Sequence, residues 1–208
     1  MEIEKAAARQ GRPRAFCTEK ALDAALKVFW QKGYEGASLT DLTEAMGINR
    51  PSLYAAYGNK EDLFRKALER YISGPASYSC KALNEPTARA VVEKLLTGTV
   101  DMQTNPCNPP GCMAVQAALV CGDSTDPIRQ ELIAHRMAAE SAIRCRFERA
   151  QLEGDLPADV NPEDLARYVA VILQGLSVQA AGGATREELL RVVQTVLRSW
   201  PEDSNKPD

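Results

Sequence analysis

Apolar residues recur along most of the chain at intervals of three and four positions, the period of a helix that buries one face. In residues 18–33, Thr18 is a plausible N-cap at the start of the apolar pattern, and Gly33 is a stop signal at its end. Comparable patterns predict helices over residues 38–47, 48–58, 59–73, 76–84, 86–104, 113–122, 126–153, 162–181 and 186–200. No stretch alternates convincingly with the period of a strand, so the pattern predicts an all-α protein.

Turn-forming residues divide these helices into two groups. Gly74 and Pro75 interrupt the helical pattern, which predicts one domain over residues 16–73 and a larger one over residues 74–200. Within the larger domain, "NPCNPPGC" (105–112) contains three prolines and is incompatible with regular structure. Residues 1–15 form a basic arm, and residues 201–208 have the composition of a disordered tail.

Two short helices in the first domain follow each other with almost no linker. Ser38 and Asp41 form a capping-box pattern at the start of the first, and Gly47 ends it. Asn49 is a good N-cap for the second helix, where Pro51 is tolerated in the first turn. Two short helices around a glycine-containing turn predict a helix-turn-helix motif.

Cations occupy unusual places around the second of these helices. Arg50 and Lys60 lie at helix amino ends, where the helix dipole makes a cation unfavourable by some tenths of a kcal/mol. Their placement is explained if an external anion such as phosphate binds there. Ala55 is small enough to let a helix approach base edges, and Tyr54 can donate its hydroxyl to phosphate. The pattern therefore favours duplex DNA as a partner.

The overall charge is slightly acidic, but it is unevenly distributed. The net charge is −3, and residues 1–71 hold 12 Lys and Arg against 10 Asp and Glu. The segment "KAAARQGRPR" (5–14) has four basic residues and no acidic one. Such a run is typical either of a solvated tail or of an arm that binds nucleic acid.

Residues 16–70 resemble the DNA-binding domain of TetR/AcrR-type transcriptional regulators. The resemblance depends on Phe29, Lys32, Gly33, Tyr34 and Ser38, and on a second group at Gly47, Leu53, Tyr54, Lys60 and Leu63. It implies a homodimer in which each subunit joins an amino-terminal helix-turn-helix domain to an all-helical domain that binds a small-molecule effector. It also implies a repressor that the effector releases from a double-stranded DNA operator.

The same resemblance assigns roles to individual residues. Arg50–Tyr57 would be the recognition helix, with Arg50, Ser52 and Ala55 as candidates for base contacts. Tyr54, Lys60, Ser38 and Thr40 match positions that contact phosphate, and Arg12 and Arg14 resemble an arm in the minor groove. The full predicted DNA-binding set is Arg12, Arg14, Ser38, Thr40, Asn49, Arg50, Pro51, Ser52, Tyr54, Ala55, Tyr57 and Lys60.

The last two helices are predicted to form the homodimer interface. In this family the corresponding long helices pack against those of a partner, which assigns the interface to residues 162–181 and 186–200. The uncharged stretch 168–185 supports this assignment, because one face can pack within the subunit and another against the partner. Its glycines and polar residues favour a buried helix over a membrane span.

The larger domain has no catalytic motif, and its cysteines are its most unusual chemistry. With no export signal at the start of the chain, we expect a cytoplasmic protein with reduced thiols. Sequence clustering predicts an effector pocket around Cys107, Cys112, Met113, Gln116, Cys121 and His135. An apolar effector is the default, and a thiol sensor of metals, oxidants or electrophiles is the alternative.

No cofactor or resident metal is predicted, and neither is enzymatic activity. Two alternatives from other functional classes remain open on the sequence alone. One is a thiol enzyme with a cysteine nucleophile and His135 as base. The thiol enzyme leaves the first 70 residues unexplained, and the other alternative is a helical protein-interaction module.

Overall fold

The structure is a computed structural model, and it describes residues 17–120 and 127–201. The predicted arm with Arg12 and Arg14, the predicted tail and Cys121 lie outside these residues. The described part of the chain contains ten α-helices and no strand. Their bounds are α1 Thr18–Gly36, α2 Leu39–Met46, α3 Arg50–Tyr57, α4 Lys60–Ser73, α5 Tyr78–Ala82, α6 Ala88–Gln103, α7 Met113–Val120, α8 Pro127–Leu152, α9 Pro162–Ala181 and α10 Arg186–Arg198.

Side-chain caps determine where most of these helices begin. Ser38, Asn49 and Asn59 each accept a hydrogen bond from a backbone N–H in the first turn of α2, α3 and α4. Gly47 ends α2 with a left-handed backbone conformation, φ 65°, which reverses the chain into α3. The predicted helix-turn-helix is therefore present in α2 and α3.

Several predicted helix ends differ from the structure, most clearly those of α1 and α5. Gly33 does not end α1; it has φ 68° and ψ 179°, and the helix resumes after this kink to Gly36. The helix predicted over 76–84 shortens to Tyr78–Ala82, because its ends lie in the turns on either side.

The apolar side chains form two clusters. The first contains the cores of α1–α4 and extends to Met102, Met113, Ile128 and Leu132 of the larger region. The second joins α6, α8, α9 and α10 around Phe147. The amino-terminal helices thus share a core with α7 and the start of α8, while the predicted boundary after residue 73 stays a prediction.

Along α8, apolar residues at helical spacing are mostly but not all buried. On α8, Ile128, Leu132, Ile143 and Phe147 are buried as their spacing indicates, but Ala139 between them is exposed. It is exposed because it lines a cavity rather than packing against a neighbouring helix. No helix in the described residues is both long and apolar enough to cross a membrane.

Candidate nucleic-acid interface and internal cavity

The α3 helix buries one side and presents the other to solvent. Leu53 and Tyr57 are buried in the core, and the Tyr57 hydroxyl donates a 2.6 Å hydrogen bond to the Thr18 carbonyl at the start of α1. This hydroxyl fixes α3 against α1, although sequence reasoning placed Tyr57 among the DNA contacts. The outward side carries exposed residues of the predicted set, namely Arg50, Pro51, Tyr54 and Ala55, with Ser52 half-buried beside them.

Arg50 is positioned by a contact with α2. Its Nη2 atom donates a 3.1 Å hydrogen bond to Oγ1 of Thr40, and both residues are exposed. The structure therefore brings together a predicted base contact and a predicted phosphate contact from the two helices of the motif. The Asn49 side chain, also in the predicted set, caps α3 by accepting from the Ser52 N–H at 2.9 Å.

The start of α2 is held by a reciprocal hydrogen-bond pair. The Ser38 hydroxyl accepts from the Asp41 N–H at 3.0 Å and donates to Asp41 Oδ2 at 2.8 Å. Lys32 Nζ lies 2.7 Å from Asp41 Oδ1. The bonds from Lys32 and Ser38 lower the pKa of Asp41 to about 2, so its carboxylate is ionised at neutral pH.

Lys60 stands at the amino end of α4, over an aromatic ring. Its Nζ atom lies 4.5 Å from the centroid of Tyr34, a cation–π distance, and the side chain is half-buried. Burial lowers the Lys60 pKa, and nearby Glu35 partly offsets that effect. The first turn of α4 places this ammonium beside helix N–H groups, which favour an anion, but the same turn also carries the carboxylates of Glu61 and Asp62.

A second site is a cavity of about 160 Å³ among the helices that follow the helix-turn-helix. It lies between α4, α5, α6, α7, α8 and α9, and Cys112 in the segment before α7 also contributes to it. Its lining is largely apolar, and it consists of Tyr71, Ile72, Ala76, Tyr78, Ser79, Leu95, Thr99, Gln103, Cys112, Ala114, Val115, His135, Arg136, Ala139, Glu140, Ile143, Ala170, Leu173, Gln174 and Ser177.

Only part of the predicted effector pocket coincides with this cavity. Cys112 and His135 line it, whereas Cys107 is exposed elsewhere and Met113 is buried in the first apolar cluster. Gln116 donates instead to the Pro110 carbonyl at 2.8 Å. Burial lowers the pKa of His135, so its imidazole is neutral at pH 7.

Sequence reasoning missed most of the polar groups in the cavity. Thr99 and Gln103 occur four residues apart on the buried side of α6, and Ser177 lies on the buried side of α9. Polar residues within an apolar stripe were the signal that could have indicated them.

Hydroxyl groups in the cavity wall are paired. Tyr78 and Thr99 share a 2.8 Å hydrogen bond, and the Tyr71 hydroxyl donates to Cys112 Sγ at 3.3 Å. Burial raises the pKa of Tyr78 to about 12 and that of Tyr71 well above its ordinary value, so both phenols stay neutral.

The cavity wall also contacts the core of the amino-terminal helices. The Tyr71 ring packs edge-on against Trp30 of α1, with ring centroids 4.8 Å apart. Trp30 Nε1 in turn donates a 2.8 Å hydrogen bond to the carbonyl of Gly111, the residue before Cys112. The proline-rich segment is thereby joined to both α1 and α4.

An all-helical chain with an exposed helix-turn-helix at its amino end belongs to the DNA-binding regulators. Residues 21–67 match the family of bacterial regulatory proteins, tetR family, and residues 87–199 match the tetracyclin repressor-like C-terminal domain. The chain therefore belongs to the TetR family of transcriptional regulators, which confirms the resemblance found in the sequence. Because this family consists of regulators, membership also argues against the thiol enzyme.

Similar proteins agree with this assignment. The HTH-type transcriptional repressor ComR of Escherichia coli K12 is 34% identical over 196 residues, which are 93% of each chain. A cysteine-substituted variant of the TetR family regulator CifR, solved in complex with 26-base-pair double-strand operator DNA, is 47% identical. The match covers 92% of this chain and 100% of the CifR chain, with a TM-score of 0.87. A TetR regulator from Rhodococcus sp. RHA1 is 44% identical, covers 88% of this chain and 98% of its own, and has a TM-score of 0.62.

Proposed function

We propose that two copies of this chain bind a palindromic operator, repress transcription there, and release the DNA when a small molecule occupies the cavity. The exposed side of α3 reads base edges through Arg50, Ser52 and Ala55. Thr40, Tyr54 and Lys60 contact the flanking phosphates, which position the helix without reading sequence.

The main support for this proposal is that α4 contributes to both the DNA-binding surface and the cavity. Its first residue, Lys60, is a predicted phosphate contact, and Tyr71 and Ile72 near its other end form part of the cavity wall. Eleven residues of helix separate Lys60 from Tyr71, a rise of about 17 Å. A ligand that displaces Tyr71 therefore moves the helix that positions Lys60.

A second contact lets α8 transmit the same displacement. Arg65 on α4 donates through Nε to both carboxylate oxygens of Glu131 on α8, at 2.9 and 3.0 Å. His135 lines the cavity one turn further along α8. Changes in the cavity can thus reach α4 from two directions.

The dimer would form through α9 and α10. Four large apolar side chains on these two helices are exposed in the single chain, namely Tyr168, Val171, Val178 and Val192. They occur on helices whose opposite sides are buried in the second apolar cluster. A second copy related by two-fold symmetry would cover them, and it would place two α3 helices on two half-sites.

Selection from random duplexes tests the DNA-binding part of this proposal. We expect enrichment of an inverted repeat, and an affinity for it that falls steeply as salt rises, because phosphate contacts release counterions. Failure to enrich any duplex would contradict the proposal, and so would binding that ignores salt. The helical interaction module predicts neither enrichment nor salt dependence.

A thiol sensor is the second candidate, and one contact favours it. Cys112 is in the cavity wall and accepts a hydrogen bond from Tyr71, so modification of its sulfur would disturb the contact between the cavity and α4. If the sensor instead binds a metal ion, several side chains must converge on that ion. Within the described residues, however, no group of three or more His, Cys, Asp or Glu side chains could hold an ion.

Alkylation separates the two candidates. If the thiol is the sensor, iodoacetamide releases wild-type protein from the operator and leaves Cys112→Ser bound. Cys107→Ser is the matched control, because this cysteine is exposed outside the cavity. Unchanged DNA binding after complete alkylation would exclude the thiol sensor.

A further inference from the structure

The amide of Gln103 is the unusual polar group of the cavity. The side chain is only 3% exposed, and its Oε1 atom is buried without a hydrogen-bond partner among the described residues. Gln103 is one of the residues that line the cavity, so its amide belongs to the cavity wall. Buried acceptors are nearly always paired in folded proteins, which makes this one informative.

The neighbouring hydrogen bonds fix which way the amide points. The Ser177 hydroxyl has a single hydrogen, and it donates this hydrogen to the Leu173 carbonyl at 2.8 Å. Ser177 Oγ can therefore only accept from Gln103, which requires the NH₂ group of the amide, Nε2, at the observed 2.8 Å. If Oε1 and Nε2 exchanged places, Oε1 would face Ser177 Oγ and two acceptors would meet. Oε1 is therefore the amide atom that has no partner.

Other polar groups of the wall offer no comparable acceptor. The hydroxyls of Tyr71, Tyr78 and Thr99 are paired with one another or with Cys112, as described above. The Ser79 hydroxyl donates to the Ala76 carbonyl at 2.8 Å. Among the lining side chains, Gln103 Oε1 is the buried acceptor that lacks a donor, whereas the acceptors of His135, Glu140 and Gln174 belong to side chains that are only partly buried.

The size of the cavity and the charge of its lining further restrict the class of ligand. A cavity of about 150 Å³ lined by apolar side chains accommodates benzene, so the 160 Å³ here suits a molecule of similar size. Arg136 and Glu140 on α8 line the cavity with opposite charges, and Glu140 is also paired with Arg167 at 2.8 Å. The lining thus has no net charge to attract an ion, and His135 is neutral.

We infer that the cavity binds a small, neutral, mostly apolar molecule that donates one O–H or N–H hydrogen bond to Oε1 of Gln103. This inference rests on the proposed function, since it names the chemical class of the effector for the same cavity. Compounds of the same shape without a donor leave Oε1 unpaired and should bind about tenfold more weakly.

Phenol and toluene test the inference directly, because they share a shape and differ in a hydroxyl against a methyl group. Calorimetric titration of the full-length protein without DNA is expected to give about tenfold tighter binding for phenol than for toluene. Gln103→Leu should abolish that preference, and Gln31→Leu, exposed on α1, should keep it. If Gln103→Leu does not fold, Gln103→Met serves the same purpose.

Three results would overturn the inference: equal binding of phenol and toluene, a phenol preference that survives in Gln103→Leu, or no binding of either compound. Benzoate is negatively charged and therefore tests whether the ligand must be neutral. Benzoate binding as tight as phenol binding would overturn that part of the inference. DNA binding is measured separately without any compound. A failure of the proposed function would therefore appear as lost operator binding, independently of the titrations.

Discussion

Asp41 shows how single side chains hold the helix-turn-helix together. It accepts hydrogen bonds from Lys32 Nζ, from the Ser38 hydroxyl and from the Ser38 backbone N–H. These donors stabilise the ionised carboxylate and lower its pKa to about 2 from its ordinary value of 3.8. One carboxylate thus ties the end of α1 to the first turn of α2.

Asp41→Asn should destabilise the protein in a pH-dependent way. The folded-state pKa is below the unfolded one, so the stabilising contribution is present above about pH 4 and is lost as the pH falls towards 2. Urea unfolding followed by circular dichroism should show the variant less stable than wild type at pH 7, with the difference shrinking below pH 4. Glu44→Gln, exposed on the same helix, is the control. A wild-type advantage that is unchanged between pH 7 and pH 3 would refute this role.

At the scale of helices, the turn between α2 and α3 depends on one glycine. Gly47 has φ 65°, a conformation that costs residues with a Cβ about 1–2 kcal/mol. A Cβ built there meets no atom within 4 Å, so the cost is conformational rather than steric.

Gly47→Ala should therefore lower the free energy of unfolding by about 1 kcal/mol and weaken DNA binding by misaligning α3. Gly36→Ala is the matched control, because its φ is not positive and the nearest atom to its Cβ would be Lys32 Cβ at an ordinary 3.5 Å. Chemical denaturation of both variants measures the difference. Equal stability of the two variants would show that the turn does not need a glycine.

Helices were predictable from the sequence, whereas the cavity was not. Periodicity and caps are local signals, and they placed α9 over residues 162–181 as the structure has it. The cavity depends on packing between helices distant in sequence: Gln103 and Ser177 are 74 residues apart and share one hydrogen bond. Cys107 and Met113 are close in sequence, but Cys107 is exposed and Met113 is buried, because a proline-rich turn separates them.

At the scale of the whole molecule, α9 and α10 leave an apolar surface uncovered in the single chain. Val171 is 59% exposed and Val178 is 50% exposed, although both lie on a helix that is otherwise well packed. Such a surface is typical of a protein interface.

Val171→Glu should disrupt the dimer, because it places an unpaired charge where the partner would pack. We expect the dimer dissociation constant to rise by at least about tenfold. Leu152→Glu is the matched control, since Leu152 is 89% exposed at the end of α8, away from these two helices. Sedimentation equilibrium measures both, and equal dissociation constants would place the interface elsewhere.

We propose that α3 reads base sequence while its neighbours contact phosphate, and the affinities of single-residue variants distinguish these two roles. Affinities of wild type, Arg50→Ala and Lys60→Ala are measured for the selected duplex and for its single-base-pair variants. For Arg50→Ala we predict a loss of about 1–3 kcal/mol together with relaxed preference at one base-pair position in each half-site. Lys60→Ala should weaken all duplexes alike and reduce the salt dependence. If Arg50→Ala instead lowered affinity equally for every duplex, the base-reading role of Arg50 would be wrong.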